Sequence, residues 1–271
     1  MRNSLALLIT LAVIGGVVAG RAKAETVREI LDKLREVNDA REPKDVSQKI
    51  KMTLVGPEGN ERVRELRVYA KNYGKGASKS IIFFEAPAEV KGVGFLVLAY
   101  PDRGDDQWLY LPQIKRPRRI TANARRESFQ GSDFAYEDLE LLEDIRHWTE
   151  DDAASLLVKD DVVVDGVSCA VIELRPKGKN LEYARIVLWL HRPDSTVRKL
   201  DFHDKKDDAS LKTLILGDFK TIDGIPTPQR MEMVNVKKGS KTLMELSEVR
   251  YSQGLADEIF TEPNLERGRV N

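Results

Sequence analysis

Three histidines, His147, His191 and His203, are the side chains of this chain best suited to hold a metal or move a proton near neutral pH. None stands at metal-ligand spacing from another, and His191 and His203 fall at opposite ends of one predicted hairpin. Paired carboxylates could do general acid–base work, but Asp105-Asp106, Asp151-Asp152, Asp160-Asp161 and Asp207-Asp208 all lie at predicted turns, where solvated carboxylates are common. Gly74-Lys75-Gly76 and Gly92-Val93-Gly94 neither follow a strand nor open a helix, so they are not phosphate-cradling loops. No G-x-S-x-G elbow, P-loop or HExxH occurs. The expectation is a non-enzyme without catalytic residues, cofactor or metal.

Two other groups of residues point to binding. Lys115, Arg116, Arg118, Arg119, Arg125 and Arg126 place six cations within twelve residues. They form either a solvated face paired with the acids that follow, Asp133 to Asp144, or a rim that meets lipid phosphates or an acidic membrane partner. In the second reading Arg116, Arg118, Arg119 and Arg125 carry the rim. The other group is apolar. Trp108 and Tyr110 share one face of a predicted strand and Leu109 and Leu111 the other, so both faces are greasy. Residues 81–84 and 95–98 have the same property. Such strands are either covered on both sides or line an apolar cavity with one face. The cavity candidates are Ile82, Phe84, Phe95 and Val97 with Trp108 and Tyr110, joined by Phe134 and Tyr136 beyond a glycine turn. In that turn, Ser132 or Asp133 is expected to cap the next helix while Phe129 and Phe134 pack beneath it.

The elements that position these residues are mostly strands. Val27, Ile30, Leu31, Leu34 and Val37 give residues 26–38 one apolar helical stripe, with Thr26 and Glu29 as a capping box and Pro43 as the stop. From residue 45 the period becomes two, and thirteen strands are predicted from 45–54 through 63–70 to 241–250. Short turns such as Asp165-Gly166 and Asp223-Gly224 join many of them, which requires antiparallel neighbours. So large a sheet must curl, and one leading helix, a stretch near 136–146 and a short one near 255–260 cannot cover it fully.

Composition sets the compartment. Residues 1–24 hold a basic start, an apolar run and Ala22-Lys23-Ala24, the pattern of a signal peptide cleaved after Ala24. The run at 4–20 has only 17 residues, short of the ~20 needed to span a bilayer. Removing it takes three cations and no acid from a 44-to-44 balance, leaving a net charge near −3 that disfavours nucleic acid. Cys169 is the sole cysteine, so no internal disulfide forms and stability rests on a large core.

Together, Asp106-x-Trp108-x-Tyr110-Leu111-Pro112, Arg118-Arg119-Ile120 and Phe129-x-Gly131-Ser132-Asp133-Phe134-x-Tyr136-x-Asp138-Leu139 resemble the outer-membrane lipoprotein-sorting, LolA-like periplasmic family. Glu85-Ala86-Pro87, residues 92–96 and Phe260 extend the resemblance across residues 25–271, a single domain. It implies a mainly β fold: a strongly curved antiparallel half-barrel with an N-terminal helix and short helices over its concave face. It also implies a monomeric periplasmic carrier of lipid or lipoprotein acyl chains, served by an inner-membrane exporter of the resistance-nodulation type. An RseB-like lipid sensor and an exported lipid hydrolase are the alternatives; the sensor type usually carries a second domain, for which no boundary is visible.

Overall fold

The computed structural model describes residues 25–74, 76–178 and 181–268; the expected leader at 1–24 lies outside them. The first helix, α1 (Val27–Arg41), is closed by the expected capping box. The Glu29 N–H donates to Thr26 Oγ1 at 3.2 Å, and the Thr26 N–H donates to Glu29 Oε2 at 2.7 Å. Ile30 and Leu34 are its buried positions, and it stops ahead of Pro43.

Six strands follow: β1 (Asp45–Val55), β2 (Glu61–Gly74), β3 (Ala77–Ala86), β4 (Gly94–Ala99), β5 (Asp106–Leu111) and β6 (Arg116–Arg119). After a long connection come β7 (Ala153–Val164), β8 (Val167–Pro176), β9 (Tyr183–His191) and β10 (Thr196–Asp204), then β11 (Ser210–Ile222), β12 (Ile225–Asn235) and β13 (Ser240–Tyr251). All thirteen form one curved antiparallel sheet, not closed into a barrel, in the order β6-β5-β4-β3-β2-β1-β13-β12-β11-β10-β9-β8-β7. Asp165 and Gly166, and likewise Asp223 and Gly224, have positive φ values of 49° and 79°, and 49° and 80°, the primed turn that matches strand twist.

This order decides where everything else lies. The two edge strands, β6 and β7, are consecutive in sequence, so residues 120–152 must travel from one edge of the sheet to the other. They do so across the concave side, carrying α2 (Tyr136–Asp144), and with α1 they enclose the main core. The convex side of β3 to β5 has its own cover. Here a 3-10 turn (Asp257–Ile259) and α3 (Glu262–Arg267) lay Ile259, Phe260 and Leu265 onto Ile81, Phe83 and Leu96.

Two sequence expectations are corrected. The helical stretch expected near 255–260 forms there only as the 3-10 turn at 257–259, and the α-helix follows at 262–267, where Pro263 suits a helix's first turn and Gly268, at φ 68°, ends it. Neither Ser132 nor Asp133 caps α2. Its cap position is Ala135, whose N–H donates to Asp138 Oδ2 at 2.7 Å.

Candidate functional site: the concave face and its cover

Alternation along the strands sorts the apolar candidates. Opposite residues of an antiparallel pair share a face, and Ile82 faces Phe95 while Leu96 faces both Ile81 and Trp108. Ile82, Phe84, Phe95 and Val97 therefore line the concave side, where Phe134 and Tyr136 of the cover meet the same cluster. Trp108 and Tyr110 lie on the convex side, packed with Leu96 beneath the C-terminal segment. The structure thus brings six of the eight together and separates two. Both faces of these strands are covered, the first of the two arrangements the sequence left open.

An open apolar cavity is not what fills the concavity. Phe129, exposed by only 1%, sits 5.9 Å from Phe84, 5.4 Å from Phe95 and 5.5 Å from Tyr136, ring centre to ring centre. Tyr136 lies 5.2 Å from Phe95, and Leu141 and Trp148 continue the plug toward Ile30 and Leu34 of α1. These spacings are those of packed aromatic pairs. The ring of Phe129 is carried in by a tight turn in which Gln130 and Gly131 both have positive φ, 51° and 77°. Arg64 of β2 fixes that turn by donating to the Gln130 carbonyl, with its guanidinium 5.8 Å from the Phe84 ring centre.

The cover is tied to the sheet by polar contacts. Asp133 accepts from Ser240 and, at 2.9 Å, from the Thr242 hydroxyl of β13, which in turn accepts from the Asp133 N–H. Asp138 is fully buried and satisfies three donors: the Ala135 N–H, the Tyr183 hydroxyl of β9 and the Lys212 ammonium of β11, the last at 2.7 Å. Burial, reinforced by that carboxylate, pushes the Tyr183 hydroxyl far above its ordinary value. Next to it Glu137, 5% exposed, accepts from the Glu182 N–H, and burial lifts its carboxyl to about 7. Asp105 is also pushed up to about 7, by burial and by Glu140 and Asp144 of α2.

The basic run is divided among different tasks. Arg119 pairs with Asp106, while Arg125 donates to Glu140 at 2.8 Å and to the Asp105 carbonyl at 2.6 Å, clamping α2 to the start of β5. Arg116 and Arg118 remain exposed on the edge strand β6. The histidines stay dispersed: His147 faces Asp39 at 3.2 Å, His191 faces Asp194 at 2.8 Å, and His203 meets the Asp208 carbonyl at 3.0 Å. Among the described residues no three His, Cys, Asp or Glu side chains could share a metal ion, and no helix is long and apolar enough to cross a membrane.

Sequence reasoning missed one opening of about 530 Å3. It lies where the cover meets the β10–β11 and β12–β13 turns, and Lys205, Lys206, Lys237 and Lys238 stand around it. The only signal was the repetition of a Lys-Lys pair in two turns of the meander.

Known proteins share this arrangement. A family model described as an uncharacterized protein-like family matches residues 76–267. No curated protein matches. The crystal structure of a DUF1329 family protein from Desulfovibrio piger is 31% identical, with TM-score 0.81 over 89% of this chain and 99% of that one. An outer membrane lipoprotein-sorting protein domain from Vibrio parahaemolyticus is 29% identical, with TM-score 0.78 over 88% and 97%. A LolA superfamily protein from Nitrosomonas europaea, 22% identical with TM-score 0.65 over 88% and 99%, shares the fold. The chain belongs to the DUF1329 family, and its curved, helix-covered sheet is that of the LolA-like lipoprotein-sorting proteins.

Proposed function

We propose that this protein is an exported, periplasmic carrier that shelters the acyl chains of a lipid or lipoprotein between its concave sheet and the 120–152 cover. One observation carries the reading. The concave face of β3 and β4 presents Ile82, Phe84, Phe95 and Val97, yet what covers it is a chain segment tied down at discrete polar points rather than a further layer of sheet. Such a cover can be lifted without breaking a strand ladder. The likeness to a lipoprotein-sorting domain supports the same reading.

The aromatic plug explains how a carrier could let go. Each methylene removed from water is worth about 0.8 kcal/mol, so one long acyl chain in a preformed cavity would contribute on the order of 10 kcal/mol. In this protein the wall is already dry, because Phe129, Phe134 and Tyr136 occupy it. Cargo gains only the difference between its own burial and that of the displaced rings. Affinity falls into a range where exchange with a membrane, or with an inner-membrane exporter of the resistance-nodulation type, is fast. The carrier acts as a monomer in this scheme.

Organic extraction of the purified protein followed by lipid mass spectrometry tests the reading. Stoichiometric acyl lipid, displaced by a fluorescent fatty acid, is the expected result. A protein that yields no lipid and leaves the probe unbound refutes it.

A further inference from the structure

We infer that the opening at the β10–β11 and β12–β13 turns binds a phosphate-bearing group. This deepens the carrier reading, on which it rests, by giving a lipid's head its own site. Six cations face this space against three carboxylates. Two of the carboxylates are engaged: Asp133 by Ser240 and Thr242, and Asp204 by the Lys206 N–H at 3.0 Å. Glu182 is the third. Lys212 is neutralised by Asp138. Lys205, Lys206, Lys237 and Lys238 line the same opening. Lys199 meets Asp201 at 2.8 Å and Lys241 meets Glu232 at 3.4 Å, but these four have no carboxylate within ion-pair distance among the described residues. Two turns some thirty residues apart in sequence thus bring four lysines to one space, the acids Asp207 and Asp208 of the first turn being engaged by the Ala209 N–H and by Arg185, with Arg126 of the cover beside it. Ammonium groups of this kind are suited to phosphate oxygens.

The floor decides in favour of an amphiphile. Phe134, Leu181 and Leu211 line the same opening and pack onto the main core, so the opening leads inward from charge to grease. At the tip of the β12–β13 turn, Val236 is 53% exposed beside Lys237, an apolar tip set among cations as a membrane-facing surface would have it. A lipid seated here places its phosphate among the lysines and its chains against Phe134, Leu181 and Leu211.

The test uses the full mature chain, short-chain phosphatidylglycerol, the matching phosphate-free diacylglycerol, and inorganic phosphate, each titrated calorimetrically. Replacing all four lysines by serine should weaken phosphatidylglycerol binding at least about tenfold and leave diacylglycerol binding unchanged, while an all-arginine variant binds like the parent. Lysine-dependent binding of phosphatidylglycerol without binding of inorganic phosphate assigns the site to a lipid headgroup. Lysine-dependent binding of inorganic phosphate alone assigns it to the free anion, and if diacylglycerol also fails to bind, the carrier reading falls while the site stands. Equal phosphatidylglycerol affinity in the parent and the serine variant overturns the inference, as does a parent that binds neither phosphate compound.

Discussion

The sheet at β3 to β5 is greasy on both faces, and the two faces are covered in opposite ways. The convex cover is short and its inner contact is apolar: Ile259, Phe260 and Leu265 meet Ile81, Phe83 and Leu96. Its polar anchors lie at the margin: the buried Asp45 carboxylate accepts the N–H groups of Gln253, Gly254 and Leu255 at 2.7, 2.9 and 3.1 Å, and Lys71 donates to the Leu255 carbonyl at 2.7 Å and pairs with the exposed Asp257. The concave cover is three times longer and carries Asp133, Glu137 and Asp138 into the interior with it. Apolar packing tolerates only close fit, whereas buried charges specify one register and are costly when that register is lost. The convex cover is built as permanent core and the concave one as a part with a defined seat.

The sharpest way to probe this contrast is to unseat the concave cover. Asp138→Ala strands the Lys212 ammonium without its partner and should cost roughly 3–5 kcal/mol in urea denaturation. The double variant Asp138→Asn with Lys212→Met, which removes both charges and keeps an amide oxygen for the Ala135 N–H and the Tyr183 hydroxyl, should recover most of that loss; if it does not, the pair is not what holds the cover. Leu265→Ala should cost about 2–4 kcal/mol through the cavity it leaves. It should leave acyl-probe binding unchanged, since it lies on the other face; altered uptake would erase the distinction between the two covers.

Titration separates the covers more finely. Glu137 is lifted in the folded state to about 7 from an ordinary 4.5, so the folded protein binds the extra proton. Its stabilising contribution is complete below pH 4.5 and is lost as pH rises through 7. Glu137→Gln should therefore raise stability at pH 8 by roughly 2–3 kcal/mol and change it little at pH 4, read from paired denaturation curves. The smallest effect belongs to Gly94. A Cβ there would stand 2.6 Å from Leu265 Cδ1 and 3.3 Å from the Leu265 carbonyl, so Gly94→Ala should cost about 1–2 kcal/mol as α3 shifts outward. A larger loss would mean that the convex cover carries more of the fold than its size suggests.

Much of this was legible in the sequence because strands and turns are local. Period two, Asp-Gly turns and the Thr26–Glu29 box each report on neighbouring residues, and they place all thirteen strands and α1. Side and partner are not local. Trp108 could face either way until the Leu96 register fixed it, and the arginines of the basic run found their acids through folds of chain. A six-residue helix such as α3 is too short for periodicity to show. The lysine-lined opening was invisible for the same reason: its parts come from two turns that the sequence presents as ordinary solvated tips.

The strand order has a last consequence, for the way the chain assembles. Every ladder except one joins strands consecutive in sequence; the exception is β1 with β13, which sets Val46 against Tyr251. Closing that ladder carries the largest loop entropy in the molecule, while the meanders β1–β6 and β7–β13 need only short closures. Loop closure alone therefore predicts that each meander zips up before their union at the centre of the sheet, an order that pulsed hydrogen exchange during refolding would check. The same union carries β6 and β7 to opposite edges and draws residues 120–152 across the hollow between them. In that order of events the cover is set in place last.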